Sequence, residues 1–165
     1  MATSATAFVV RRAKPTDADA LLFIWQETAG MLAKGDSRFR LTSDAAAQWK
    51  SELLRALQGE DIAVYVAEST VELDHILGYV VGTVLANAPT FAPERYGFVS
   101  DLAVDSHSKA GGIGRGLFDA LKIWFHERGV AHIEARVPTR HPIAQAFWRA
   151  LGATELYEQM WLKLD

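Results

Sequence analysis

The stretch Lys109-Ala110-Gly111-Gly112-Ile113-Gly114-Arg115-Gly116-Leu117 constrains the fold of this chain more than any other segment. It follows a largely apolar, strand-like run at 98–104. It opens a segment in which Ile113, Leu117, Ala120, Leu121, Trp124 and Phe125 recur at helical spacing. A strand must therefore hand over to an amphipathic helix through a loop with four glycines in six positions, Lys109 and Arg115 beside them. Glycine lets backbone N–H groups approach a ligand without Cβ obstruction. The helix N-terminus adds unpaired donors and a partial positive charge. A plain connecting turn needs one or two glycines, not four next to cations. A phosphate or pyrophosphate is the natural guest.

Two familiar phosphate loops do not fit. A Walker A loop needs lysine and a hydroxyl after its last glycine, and Gly116 is followed by Leu117. The dinucleotide fingerprint fails as well, because Gly112-x-Gly114 is followed at the third glycine position by Leu117. The pattern [QR]-x-x-G-x-[GA] between strand and helix does fit Lys109-Ala110-Gly111-Gly112-Ile113-Gly114, with lysine in the first place. A second segment, His141-Pro142-Ile143-Ala144-Gln145-Ala146-Phe147-Trp148-Arg149-Ala150-Leu151-Gly152-Ala153, comes later in the chain. It is similar to N-x-x-A-x-x-F-Y-x-x-x-G-F. With Asp101-Leu102-Ala103-Val104-Asp105 as the preceding strand, residues 97–153 resemble the GNAT superfamily of acetyl-CoA-dependent N-acetyltransferases.

The resemblance implies an α/β layered fold: one domain over 1–165, with 1–7 a flexible tail, and a mixed, mostly antiparallel sheet with helices on both faces. In such a sheet the fourth and fifth strands, here 97–104 and 131–137, run parallel and splay apart. Splaying leaves backbone groups unpaired, a cost unless a ligand satisfies them. The pantetheine amides of acetyl-CoA, the implied co-substrate, would pair with Leu102 and Val104. A backbone N–H near Leu102 or Ala103 would polarise the thioester carbonyl. The pyrophosphate would rest on the amides of Lys109, Ala110, Gly111, Gly112, Ile113 and Gly114, with Lys109 and Arg115 as counter-charges. The acceptor would lie against 25–42, 87–96 and the chain end. A homodimer is compatible with the resemblance.

Acetyl transfer to an amine needs a base, because an alkyl ammonium of pKa about 10 is neutral in only about one molecule per thousand at pH 7. Asp101 is the first candidate, on the strand that would hold the thioester; the alternative is a solvent-facing or salt-bridged aspartate, since alternation places Leu102 and Val104 on the other face. Glu94 and Glu134 are weaker candidates. The family's thiol-protonating tyrosine is replaced by Trp148, whose indole is no acid at neutral pH. Tyr157 or solvent would then protonate the thiolate, and Trp148 would pack on the cofactor or in the core. His141, in place of asparagine, could bond the pantetheine or merely cap the helix that starts at Pro142.

The remaining organisation suits one α/β domain. Strands are expected at 8–13, 62–68, 76–86, 97–104, 131–137 and 154–164. Helices are expected from Pro15 (with Thr16 and Asp19 at capping-box spacing), over 43–57, after the glycine loop and over 142–151, while 28–42 reads as irregular or briefly helical. With net charge −3, no global field draws nucleic acid, and Arg38 and Arg40 around Phe39 are too few to make a patch. The absence of cysteine excludes disulfides and thiolate sites and suits a reducing cytoplasm. Apolar runs such as 20–25 and 76–86 are too short or interrupted to span a bilayer, so no membrane partner is expected. His75, His107, His126 and His132 show no paired ligand spacing, so no metal is expected. Three functions compete: N-acetyl transfer to a primary amine of a small molecule, amino acid, protein or peptide; acyl-CoA binding without turnover; and an interaction module whose loop binds nothing.

Overall fold

The computed structural model describes residues 7–164. Five strands form one sheet in the order β1 (Phe8–Arg12), β2 (Ile62–Ser69), β3 (Ile76–Ala86), β4 (Arg95–Val104) and β5 (Ile133–Ala135). The first four pair antiparallel and β4 pairs β5 in parallel. Helices α1 (Ala18–Gly35) and α2 (Ala45–Ala56) cover one face; α3 (Ile113–Glu127) and α4 (Pro142–Ala150) lie toward the other. The sequence expectation of a layered α/β domain with a mixed sheet matches this arrangement. The expected tail at 1–7 lies outside the described residues except for Ala7, whose carbonyl accepts from the Thr70 N–H.

Each face of the sheet carries its own core because strand side chains alternate. Val80, Val84 and Val99 pack with Ile113, Leu117, Phe118, Leu121, Trp124 and Phe125 of α3. Burying each such large side chain contributes about 1.5–3 kcal/mol against chain entropy. Val64, Val66, Tyr79, Val81 and Ala103 face Leu21 and Ile24 of α1 and Leu53 of α2. Helix α3 lies close to the sheet because β3 lacks a side chain beneath it: a Cβ on Gly82 would meet Leu121 at 2.6 and 2.7 Å and Phe125 at 2.9 Å.

Four expectations need correction. Helix α1 continues through Gly30 to Gly35, and within 28–42 a short 3-10 turn follows at Ser37–Phe39. The cost of an interior glycine, about 1 kcal/mol, is offset by tertiary packing such as that of buried Ala29. The cap is not Thr16 with Asp19. Asp17 instead accepts from the Lys14 N–H at 2.7 Å, closing a 3-10 turn at Pro15–Asp17 that leads into α1, while Asp19 pairs with Lys50 of α2. Residues 154–164 form no strand. β5 is only three residues long, shorter than 131–137, and the segment at 154–164 lies exposed.

Candidate active site

The glycine loop meets α3 at Gly112, which sits at φ 80°, ψ 5° and is the N-cap. This left-handed geometry suits glycine and costs other residues about 1–2 kcal/mol. No side chain caps the helix and no acidic residue occupies its first turn. The first backbone bond of the turn runs from the Gly116 N–H to the Gly112 carbonyl at 2.9 Å. The amides of Ile113, Gly114 and Arg115 precede it and have no intrahelical acceptor. Open space surrounds the Cβ positions of Gly111 and Gly112, with nothing within 4 Å. Donors, dipole and free volume therefore coincide, as an anion requires. Lys109 is exposed at the rim. Arg115 reaches solvent too, and its Nε shares Asp119 at 3.1 Å. The Ala110 N–H is engaged by Ser108 Oγ at 3.3 Å.

The open sheet edge lies just before this loop. β4 and β5 pair only through Gly97 with Ile133, Phe98 with Glu134 and Val99 with Ala135. From Ser100 to Val104, β4 has no strand on that side among the described residues. The pairing ends where the β3–β4 register slips: Val81 faces Asp101, yet Gly82 faces Val99. Ser100 is thus an extra residue, a β-bulge that bends the strand and re-aims the side chains beyond it. Val99 and Leu102, three apart, both pack on the α3 side. Asp101 instead shares the α1–α2 face with Ala103, which belongs to the opposite core.

Asp101 is partly buried there. Burial pushes its carboxyl above the usual range, and nearby Glu52 adds to the rise against a hydrogen bond from Ser100. Beside it, the Tyr79 hydroxyl is buried with no hydrogen-bond partner among the described residues. Burial, with the Asp101 charge, holds that phenol well above its ordinary pKa. Trp49 meets Tyr79 edge-on at 5.7 Å and stacks on Trp25 at 5.2 Å, forming an aromatic wall from α1 and α2. Sequence reasoning missed Tyr79, Trp49 and Glu52. Alternation along β3 was the only signal, and it does not reveal which residue faces Asp101.

The other candidates separate. Glu94 precedes β4, about 23 Å along the strand from Asp101 at about 3.3 Å per residue. Glu134 bonds His132 at 3.1 Å, and that imidazole stacks on Tyr96. His141 Nδ1 accepts from the Ala144 N–H at 3.1 Å, so it caps α4. Trp148 packs edge-on against Phe118 at 5.4 Å and Phe147 at 5.6 Å, alongside the α3 core. Tyr157 is 80% exposed in the segment after α4. Of the residues expected at the acceptor, Met31, Leu32 and Phe39 line a cleft of about 200 Å³ with Pro138, His141 and Ile143. Phe91 is exposed in the loop at the far end of β4. Arg38 clamps Asp36, lowering that carboxyl, and lies 5.9 Å from the Trp161 ring. No helix among the described residues is long and apolar enough to cross a membrane.

Comparisons with known proteins agree with this fold. A point mutant of the BH1408 protein from Bacillus halodurans superposes with TM-score 0.81 at 25% identity, over 94% of this chain and 99% of that one. A predicted acetyltransferase with acetyl-CoA from Clostridium acetobutylicum gives 0.74 at 19% identity, over 96% of both chains. The aminoglycoside acetyltransferase meta-AAC0020 from an uncultured soil metagenomic sample, in complex with trehalose, gives 0.69 at 19%, over 98% and 99%. No curated protein sequence matches the chain. The family model described as Acetyltransferase (GNAT) family matches residues 25–153, reaching well beyond the two motifs at 97–153. The chain thus belongs to the GNAT family of acetyltransferases.

Proposed function

We propose that this protein transfers the acetyl group of acetyl-CoA to a primary amine of a small molecule. The observation that carries the reading is Asp101: a carboxyl raised by burial, on a strand whose neighbouring edge is open, one loop before an uncapped helix N-terminus. A base is most useful when its pKa approaches the working pH, and burial moves Asp101 in that direction. The pyrophosphate would accept from the amides of Ile113, Gly114 and Arg115, near Lys109. The pantetheine amides would pair with the edge at 100–104, replacing the bonds that β5 does not make.

In this arrangement the amine nitrogen attacks the thioester carbonyl carbon, and the C–S bond breaks. The carbonyl oxygen gains charge and needs a donor, which the β4 amide of Leu102 would supply: the Asp105 N–H donates to the Leu77 carbonyl of β3, so by alternation Ala103 also faces β3 and Leu102 faces the open edge. Asp101 takes the ammonium proton, directly or through a water, and the second proton that the nitrogen sheds on becoming an amide passes to solvent. The lone Tyr79 hydroxyl is the polar atom that such a water would satisfy. The thiolate leaves and takes a proton from solvent or from Tyr157. A thiol of pKa about 8.5 leaves acceptably without a dedicated acid. Several structural neighbours are aminoglycoside acetyltransferases, which supports an amine acceptor, and the apolar cleft beside His141 offers part of its surface.

The test is release of free thiol from acetyl-CoA across an amine panel, with mass spectrometry of the acceptor. Transfer to at least one amine is expected, and Gly112→Glu should abolish CoA binding by placing charge and bulk at the anion site. A second reading, CoA binding without turnover, is favoured by Trp148, which packs half-buried against the α3 core at the position where the resemblance places the family's tyrosine. CoA-dependent thermal stabilisation with no transfer to any amine would select it. No stabilisation by CoA or acetyl-CoA would reject both.

A further inference from the structure

We propose that Glu27, Asp105 and His107 form a binding site for one divalent transition-metal ion, of the zinc or cobalt type, that joins helix α1 to the turn leading into the glycine loop. Glu27 comes from the middle of α1, while Asp105 and His107 come directly after β4. One ligand atom from each lies within 4.8 Å of the other two. His107 Nδ1 is 3.2 Å from Asp105 Oδ1 and 3.6 Å from Glu27 Oε1. Four ligands at tetrahedral angles, with metal–ligand bonds of about 2.0–2.1 Å, stand about 3.3–3.4 Å apart. Both separations thus lie near the edge of a zinc coordination tetrahedron before any ion is added.

The chemistry of the donors agrees with the geometry. Two carboxylates and a neutral imidazole balance the charge of a divalent cation, and one nitrogen with two oxygens suits zinc, cobalt or nickel better than the all-oxygen preference of calcium or magnesium. The two carboxylates are not equally free. Asp105 is 9% exposed, and its side chain is already oriented. The His107 N–H donates to its Oδ1 at 2.9 Å, and His75 Nε2 stands 3.5 Å from its Oδ2. His75 is held in turn by Glu72, 2.7 Å from its Nδ1. A chain running from Glu72 through His75 to Asp105 is the kind of outer support that orients a liganding carboxylate. Glu27 and His107 are the adjustable partners, His107 being largely exposed. Water or Ser106 Oγ, 3.3 Å from Glu27 Oε1, could take the fourth position. The sequence hides the site because Glu27 is far from the other two along the chain and no short spacing marks it.

The competing account is an ion pair, with a protonated His107 between the two carboxylates and no role for metal. Zinc titration of the tag-free, EDTA-stripped chain against a chromogenic chelator separates them, with the thermal midpoint as a second readout. One equivalent of zinc should bind saturably in the micromolar range and raise the midpoint. Cobalt should give the intense visible bands of a four-coordinate site. His107→Ala and Glu27→Gln should each weaken zinc by at least about ten-fold, since loss of even an outer-shell partner costs that much. His75→Ala should weaken it by a smaller factor, and His126→Ala, on an exposed α3 histidine, should leave it unchanged. No saturable binding overturns the proposal, and so does zinc affinity that is equal in the wild type, His107→Ala and Glu27→Gln. None of these readouts requires acetyl transfer.

Discussion

Gly112→Ala, compared with Gly111→Ala, isolates the backbone geometry on which the anion site depends. Neither added methyl meets an atom within 4 Å, so packing cannot distinguish the two. Gly112 has positive φ, at 80°, and Gly111 does not. Alanine at 112 should cost about 1–2 kcal/mol for the left-handed conformation. Either alanine reduces the freedom of the unfolded chain, a gain of about 0.4–1 kcal/mol common to both variants. The two should therefore differ by the left-handed cost alone, roughly 1–2 kcal/mol. With a urea m-value of about 2 kcal/mol per M, that is a gap of about 0.5–1 M between midpoints. If the loop of Gly112→Ala relaxes instead of holding its strain, stability recovers but the amides of Ile113 to Arg115 turn away. CoA affinity then falls by up to about five- to thirty-fold, the same free energy now charged to binding. Urea denaturation and CoA titration together capture the whole cost. Equal midpoints with equal CoA affinities in the two variants would refute the argument.

Three further outcomes are expected. Asp101→Asn should lower kcat by about 10²–10⁴-fold with little change in KM for acetyl-CoA. In the wild type, the acid limb of kcat/KM should lie above the ordinary aspartate value of about 3.9, because burial raises this carboxyl, and the variant should lose that limb. Gly82→Ala should destabilise by about 1–3 kcal/mol in urea, since its methyl would meet Leu121 at 2.6 Å; an unchanged midpoint would show that α3 can move away freely. Asp17→Asn should cost about 2 kcal/mol at pH 7, because Asp17 accepts charged bonds from Arg11 at 2.8 and 3.0 Å and from the Lys14 N–H. Burial works against the Asp17 charge, but these donors prevail and hold its folded pKa below the unfolded one. Its contribution is therefore present above about pH 4 and lost as pH falls through the folded value. A urea midpoint profile should show an acid slope that flattens in the variant; the same slope in both would remove Asp17 from that role.

Local chemistry in the chain was enough to announce the glycine loop, the helix after it and the alternating strands before it. Those features depend on residues a few positions apart: glycine at a turn, apolar side chains at helical spacing, valine and glycine along β3. They also carried the resemblance at 97–153 that the family match widened to 25–153. Side-chain direction past residue 100 could not be read that way. Simple alternation puts Asp101 on the same face as Val99, and only the bulge at Ser100, a product of pairing with β3, turns it toward Tyr79. The continuation of α1 past Gly30, the use of Asp17 in place of Asp19 before α1 and the unpaired segment at 154–164 likewise depend on partners distant in sequence. The meeting of Glu27 with Asp105 and His107 has the same origin: a helix and a strand end, far apart along the chain, are packed against each other by the core between them.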